Sequence, residues 1–217
     1  MKRVNPFRHI ITNRYLILLL SALLFSCKAE TPVQLTNGYT VDSTIMNDVY
    51  AKLSPYSKQA NAWLSYSIYA GDTVLFTTAD TALPGLAFTT VADSGCGIVA
   101  STGIDDGEGF KLIFHNDSAW AMFYMHSNTG YASFRTHPQN YLVPELDVQC
   151  IQSKITLSKH VECTNGELIG GMVELESSPF YITDANGEHK VFSRLKAYFL
   201  SEPLPIINKQ YKTLQKQ

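Results

Sequence analysis

FYITDANGEHKVFSRLKAYFL, residues 180–200, holds the pattern that decides the fold. Val191, Leu195, Ala197 and Phe199 alternate with Phe192, Arg194, Lys196 and Tyr198. A period of two places the first set on a core face of a β-strand and the second on a mixed, partly wet face. Ahead of that strand, Asn186-Gly187 separates FYITDA from EHKVFSRLKAYFL. Asn-Gly is the strongest short hairpin signal, because turns with positive φ match the twist of paired strands. The run ELIGGMVELE, residues 167–176, adds Glu174 and Glu176, which complement Arg194 and Lys196 if the two segments pair. Each exposed cross-strand ion pair of this kind contributes only ~0.2–1 kcal/mol.

The same grammar extends upstream. From Leu64 onward, short runs rich in Val, Ile, Thr, Phe and Tyr are broken every several residues by Gly, Asn, Asp or Pro. Gly71-Asp72 separates LSYSIYA from TVLFTT, and Asn116-Asp117 separates FKLIFH from SAWAMFYM, each reading as a hairpin. Ahead of these strands, Asp42 or Ser43 can cap a helix whose Ile45, Met46, Val49, Tyr50 and Leu53 share a face, stopped by Ser54-Pro55. The prediction is a mainly β chain: one antiparallel β-sandwich or barrel-like domain over residues 42–205, with one short N-terminal helix. A polar tail, 206–217, follows.

The N-terminus carries an address. Lys2, Arg3, Arg8 and Arg14 precede an apolar run, Leu16 to Phe25, too short for the roughly 20 residues of a spanning helix. A basic start, a short apolar region and a small residue before a cleavage point describe a secretory signal, residues 1–26. Leu24-Phe25-Ser26-Cys27 resembles the lipobox of bacterial lipoproteins. That resemblance implies that Cys27 is lipidated and becomes the new N-terminus, with palmitate-like chains holding the protein to a membrane at about 0.8 kcal/mol per buried CH₂. Residues 27–41 then form the lipidated Cys and its tether. Lys28 stands where the inner-membrane retention signal of enteric lipoproteins has Asp, so the resemblance implies the outer membrane, with either the periplasmic or the surface-exposed face open. The stretch Ile155 to Phe199 also looks like the C-terminal part of uncharacterised small β-rich lipoproteins of Bacteroidota, a likeness that transfers no site residues.

All 19 acidic residues remain after cleavage while four of the 17 basic ones leave, so the remainder is more acidic than the formal −2 of the whole chain. Nucleic acid is therefore a disfavoured partner. Of the cysteines besides Cys27, the short loop between Cys150 and Cys163 favours that pair as a disulfide over pairings with Cys96.

No catalytic pattern assembles in the sequence. Asp93-Ser94-Gly95-Cys96-Gly97 resembles the nucleophile segment of trypsin-like proteases, but no His precedes Ser94 in the mature chain, and a tight turn explains the segment. His115, His126 and His137 are evenly spaced, yet a hairpin at 116–117 sets His115 at the turn and His126 a strand's length away, so the two cannot share a metal. Asp105-Asp106-Gly107-Glu108-Gly109 suits a Ca²⁺ loop in ligand type but lacks the spacing of an EF-hand, and reads as an acidic turn. No cofactor motif occurs.

SAWAMFYM is the remaining candidate. Trp120, Met122 and Tyr124 point one way and Ala121, Phe123 and Met125 the other, so both faces are apolar. A central strand between two packed layers accounts for this. The alternative is an exposed patch in which Trp120 and Tyr124, with Tyr131 and Arg135 on the neighbouring strand, receive a glycan or an envelope protein. The sequence reading is thus a membrane-anchored, non-catalytic binding or accessory module, with a toxin-neutralising immunity lipoprotein or an envelope hydrolase as alternatives.

Overall fold

The computed structural model describes residues 38–78, 82–92, 95–103, 107–115, 118–127, 133–162 and 168–203. Residues 1–37 and 204–217, which include the expected leader, Cys27 and most of the expected tether, lie outside the described residues. The strands are β1 (Thr40–Val41), β2 (Ala62–Ala70), β3 (Thr73–Thr77), β4 (Leu83–Ala92), β5 (Gly95–Ser101), β6 (Gly107–His115) and β7 (Ser118–His126). After these come β8 (Phe134–Arg135), β9 (Glu145–Leu157), β10 (Ile169–Ser177), β11 (Phe180–Asp184) and β12 (Gly187–Pro203). A helix, α1 (Ile45–Leu53), and a 3-10 turn, Ser54–Gln59, precede β2.

Hydrogen bonding passes from β2 through β4, β5, β6, β7, β9, β10 and β12, and β12 then pairs with β2. The ring is a closed antiparallel barrel of about eight strands, a size whose interior side chains can fill. β3 continues from the edge of β2, β11 and β8 from the edge of β12, and β1 runs parallel to the end of β9. Thr40 and Val41, assigned from sequence to the tether, therefore belong to the domain.

Alternation builds the core as the sequence predicts. Val191, Leu195, Ala197 and Phe199 are buried while Arg194 between them is exposed. Phe110, Phe123, Phe180 and Phe199 are almost fully excluded from water, with Leu64, Ile98, Leu112 and Leu157. Each such side chain contributes roughly 1.5–3 kcal/mol through burial. Gly171 on β10 makes room for this packing: a Cβ there would stand 2.7 Å from the Phe199 ring and 2.9 Å from Leu157.

The hairpins at 71–72 and 116–117 form where expected, with Ala70 opposite Thr73 and His115 opposite Ser118. The third shifts by one residue: Asp184 faces Gly187, whose φ of +120° suits glycine, so the loop is Ala185-Asn186. The Asp184 carboxylate accepts the Asn186 N–H at 2.7 Å and sets that turn.

Two features have no local signature. β9 carries a bulge: Ser177 pairs with Cys150 but Glu176 with Gln152, leaving Ile151 extra. Leu146, Val148 and Cys150 face inward before it, Ile155 and Leu157 after it, so the inward set changes from even to odd numbers. The bulge bends the strand as it leaves β7 and joins β10. The second feature is the seam. β2 meets β4 over only Ala62–Leu64, and the Asn61 side chain extends the pairing, its amide donating to the Ala87 carbonyl at 2.9 Å and its oxygen accepting the Ala87 N–H at 2.6 Å. Beyond it the buried hydroxyls of Thr89 and Ser201 meet at 2.5 Å.

α1 rests on the outside of the barrel, with Ile45 and Val49 buried against Met172, Tyr198 and Leu200. Tyr50, placed by sequence on the apolar face, is 53 % exposed. Asp42 sits ahead of the helix and accepts from the Thr44 N–H at 2.9 Å and hydroxyl at 2.7 Å, which holds its carboxyl below the usual range. Among the described residues no helix is long and apolar enough to cross a membrane.

Candidate ligand-binding face

β7 is a single wall of the barrel, not a strand between two packed layers. Ala119, Ala121, Phe123 and Met125 are buried inside, whereas Trp120, Met122 and Tyr124 are half-buried on the outer surface. Closure of the ring explains the correction: a barrel has one interior, so the second apolar face of SAWAMFYM lies outside it. On that outer face Trp120 stands beside Ile113, Met122 between Lys111 and Gln149, and Tyr124 between Gly109 and Asp147. A groove of about 570 Å³ opens there, lined by Trp120, Met122, Thr136, Asp147, Gln149 and Ser178 among others. The loop after β10 is fixed at its rim by the Ser178 N–H, which donates to the Gln149 carbonyl at 2.7 Å.

Of the four residues singled out from sequence, the three that are described do not share one lining. Trp120 lines the groove. Tyr124 lies outside its lining, with the Lys111 ammonium 4.3 Å from its ring centroid and 2.7 Å from Asp147. Burial, then the charges of Glu145 and Asp147, raise the Tyr124 phenol above its ordinary range. Arg135 is not on a strand next to β7; β8 pairs with β11, Arg135 opposite Tyr181. Its guanidinium is held by Glu188 and by the Asn140 carbonyl at 3.2 Å, a structural use, although the neighbouring Thr136 reaches the groove. Tyr131 lies outside the described residues.

A second depression, of about 640 Å³, lies on the outer face of β2, β12, β10 and β9. Two cross-strand rows make it: Ser65, Lys196, Glu174 and Lys154, then Ser67, Arg194, Glu176 and Gln152. Lys196 donates to Glu174 at 2.7 Å and Arg194 to Glu176 at 2.8 Å, the pairs that the sequence anticipates. The Lys196 hydrogen bond lowers the Glu174 carboxyl, and the same contact raises Lys196; Glu176 likewise raises Arg194. Lys154 and Gln152 were missed because the β9 bulge decides which of its residues face out. Tyr69 and Phe192 stack at 5.0 Å beside these rows, with Arg194 over both rings.

Glu108 accepts the Tyr66 hydroxyl at 2.5 Å, and burial together with that carboxylate raises the Tyr66 phenol. His115 and His126 stand at opposite ends of the β6–β7 hairpin, as the spacing predicts. Among the described residues no three of His, Cys, Asp and Glu gather as a metal site. Asp105, Asp106 and Ser94 lie outside the described residues.

The disulfide expectation is corrected. Cys150 is a free, buried thiol, and burial pushes its pKa up to about 12. Cys96 is disulfide-bonded, and its partner lies outside the described residues, as does Cys163. Cys150 belongs to the inward set of β9 ahead of the bulge and is buried in the core, as Cys96 is.

Comparison with protein-family models, with curated proteins and with solved structures finds no match to this chain.

Proposed function

We propose that this protein is a lipid-anchored envelope module that binds a glycan without transforming it, at the groove around Trp120. One observation carries the reading: an indole half-buried in the barrel wall is flanked, in a groove of about 570 Å³, by a carboxylate, an amide and hydroxyls from Asp147, Gln149, Thr136 and Ser178. An aromatic face stacks on the C–H surface of a sugar while such polar groups accept and donate to its hydroxyls. The barrel interior is occupied by Phe and Leu side chains, so the outer surface is the place for a ligand. The envelope address rests on residues 1–30 and the lipobox resemblance. Intact-mass measurement of the membrane-extracted protein tests it, and a bare Cys27 thiol or a retained leader would remove the address.

For the binding function, the full-length protein in detergent is titrated by calorimetry against a panel of envelope-type oligosaccharides. Trp120→Ala is expected to lower affinity at least tenfold, about 1.4 kcal/mol, with the melting temperature nearly unchanged. Equal affinity in the variant would move the site elsewhere. A protein partner is the second reading, favoured by the edge strand β3, where Val74, Leu75 and Phe76 are each about half exposed. Such an edge can accept an added strand.

A further inference from the structure

We infer that the two outer depressions form one furrow for a short oligosaccharide whose sugar at the Lys154 end carries a carboxylate; this rests on the glycan reading above. Ser153 borders both depressions. It lies just past the Ile151 bulge, where β9 turns from β7 to β10. Ser153 belongs to the inward row opposite Leu175, so the outward side chains between the two depressions are those of Gln149 and Gln152. From Trp120 the furrow runs past the amides of Gln149 and Gln152 to the ammonium of Lys154, changing from a stacking surface to a charged one.

The charges at the far end are unequally engaged. Glu174 takes Lys196 at 2.7 Å and Glu176 takes Arg194 at 2.8 Å, whereas Lys154 is 3.9 Å from Glu174 with its side chain 69 % exposed. Among the described residues lining the depression, the cations Lys154, Lys196 and Arg194 stand against the carboxylates Glu174 and Glu176, a local positive surplus. Lys154 is the cation with donors to spare. The chain as a whole is acidic, which repels a polyanion at long range; a single carboxylate is recognised at contact distance, inside a Debye length of about 8 Å. The fitting ligand therefore has one acidic sugar, not a run of them.

The test titrates the full-length protein in detergent with uronate-, sialate- and muramate-terminated oligosaccharides and with the same compounds after reduction of the carboxyl to an alcohol. At least one acidic ligand is expected to bind about tenfold or more tightly than its reduced form, the value of a hydrogen bond to a charged group. Lys154→Gln should erase that ratio without shifting the melting temperature, and Trp120→Ala should weaken both forms by the same factor. Equal binding of acid and alcohol, or a ratio that survives Lys154→Gln, overturns the inference while leaving Trp120-dependent binding intact. Binding of neither form overturns the inference and the glycan reading together.

Discussion

The two outer faces of the barrel are built from the same kind of strand and end with opposite chemistry. Over β6 and β7 the outward positions hold Ile113, Trp120, Met122 and Tyr124, with Lys111 paired to Asp147 among them. Over β10 and β12 they hold Glu174, Glu176, Arg194 and Lys196 in matched pairs. On the second face Glu174 and Glu176 are each paired one strand away, and the loosely held charge is Lys154 at its β9 border, 3.9 Å from Glu174. The first sets an indole beside polar groups that are engaged in part: Asp147 is paired to Lys111, and the Thr136 hydroxyl accepts from the Asn140 amide at 2.8 Å. One face is held by paired charges and the other presents an indole, and that contrast can be broken or sharpened by substitution.

The strongest effect should come from the core that both faces share. The Phe110 and Phe199 rings lie 5.4 Å apart across the interior, one behind each face. Phe199→Ala is expected to cost about 3–5 kcal/mol and to lower the urea midpoint sharply, degrading both faces together. If only one face were affected, the two halves would be separate units and not one barrel. Next is the seam: Asn61→Ala leaves the Ala87 N–H and C=O without their side-chain partners, at about 1–3 kcal/mol. Faster hydrogen exchange confined to β2 and β4 would identify the opened seam.

The smallest effect belongs to the ionic ladder. Glu174→Gln should cost only ~0.2–1 kcal/mol at neutral pH, since both partners are partly exposed. Its pH dependence has a definite sign. The folded Glu174 carboxyl is lowered, so its stabilising contribution is present above the ordinary carboxylate range and is lost as pH falls through the lowered folded value. Wild type and Glu174→Gln should therefore differ in urea midpoint at pH 7 and converge once pH falls below the lowered folded value. A gap that persisted in acid would mean that the side chain acts through packing and not charge.

Much of this molecule is legible without coordinates, and the legible part is local. Alternation in residues 191–199 named the inward side chains correctly, because strand periodicity needs only neighbours two apart. Gly71-Asp72 and Asn116-Asp117 placed their hairpins, since turn chemistry acts within four residues. The Glu174–Lys196 and Glu176–Arg194 pairs followed from those two facts combined. The neighbour assigned to β7 was wrong for the converse reason: nothing near Arg135 says that β8 pairs with β11, some 45 residues further on.

By itself, then, the sequence determined the strand class, the two hairpins, the inward face of β12 and the separation of His115 from His126. Only the tertiary structure decided that the sheet closes, that Cys150 faces the core as a free thiol, and that Trp120 and Lys154 border depressions meeting at Ser153. The reason is that closure pairs β2 with β12 through backbone N–H and C=O groups common to every residue, across most of the chain. Which strands find each other is set by packing the whole interior, and a shift of one residue at Ile151 then decides which side chains a ligand meets.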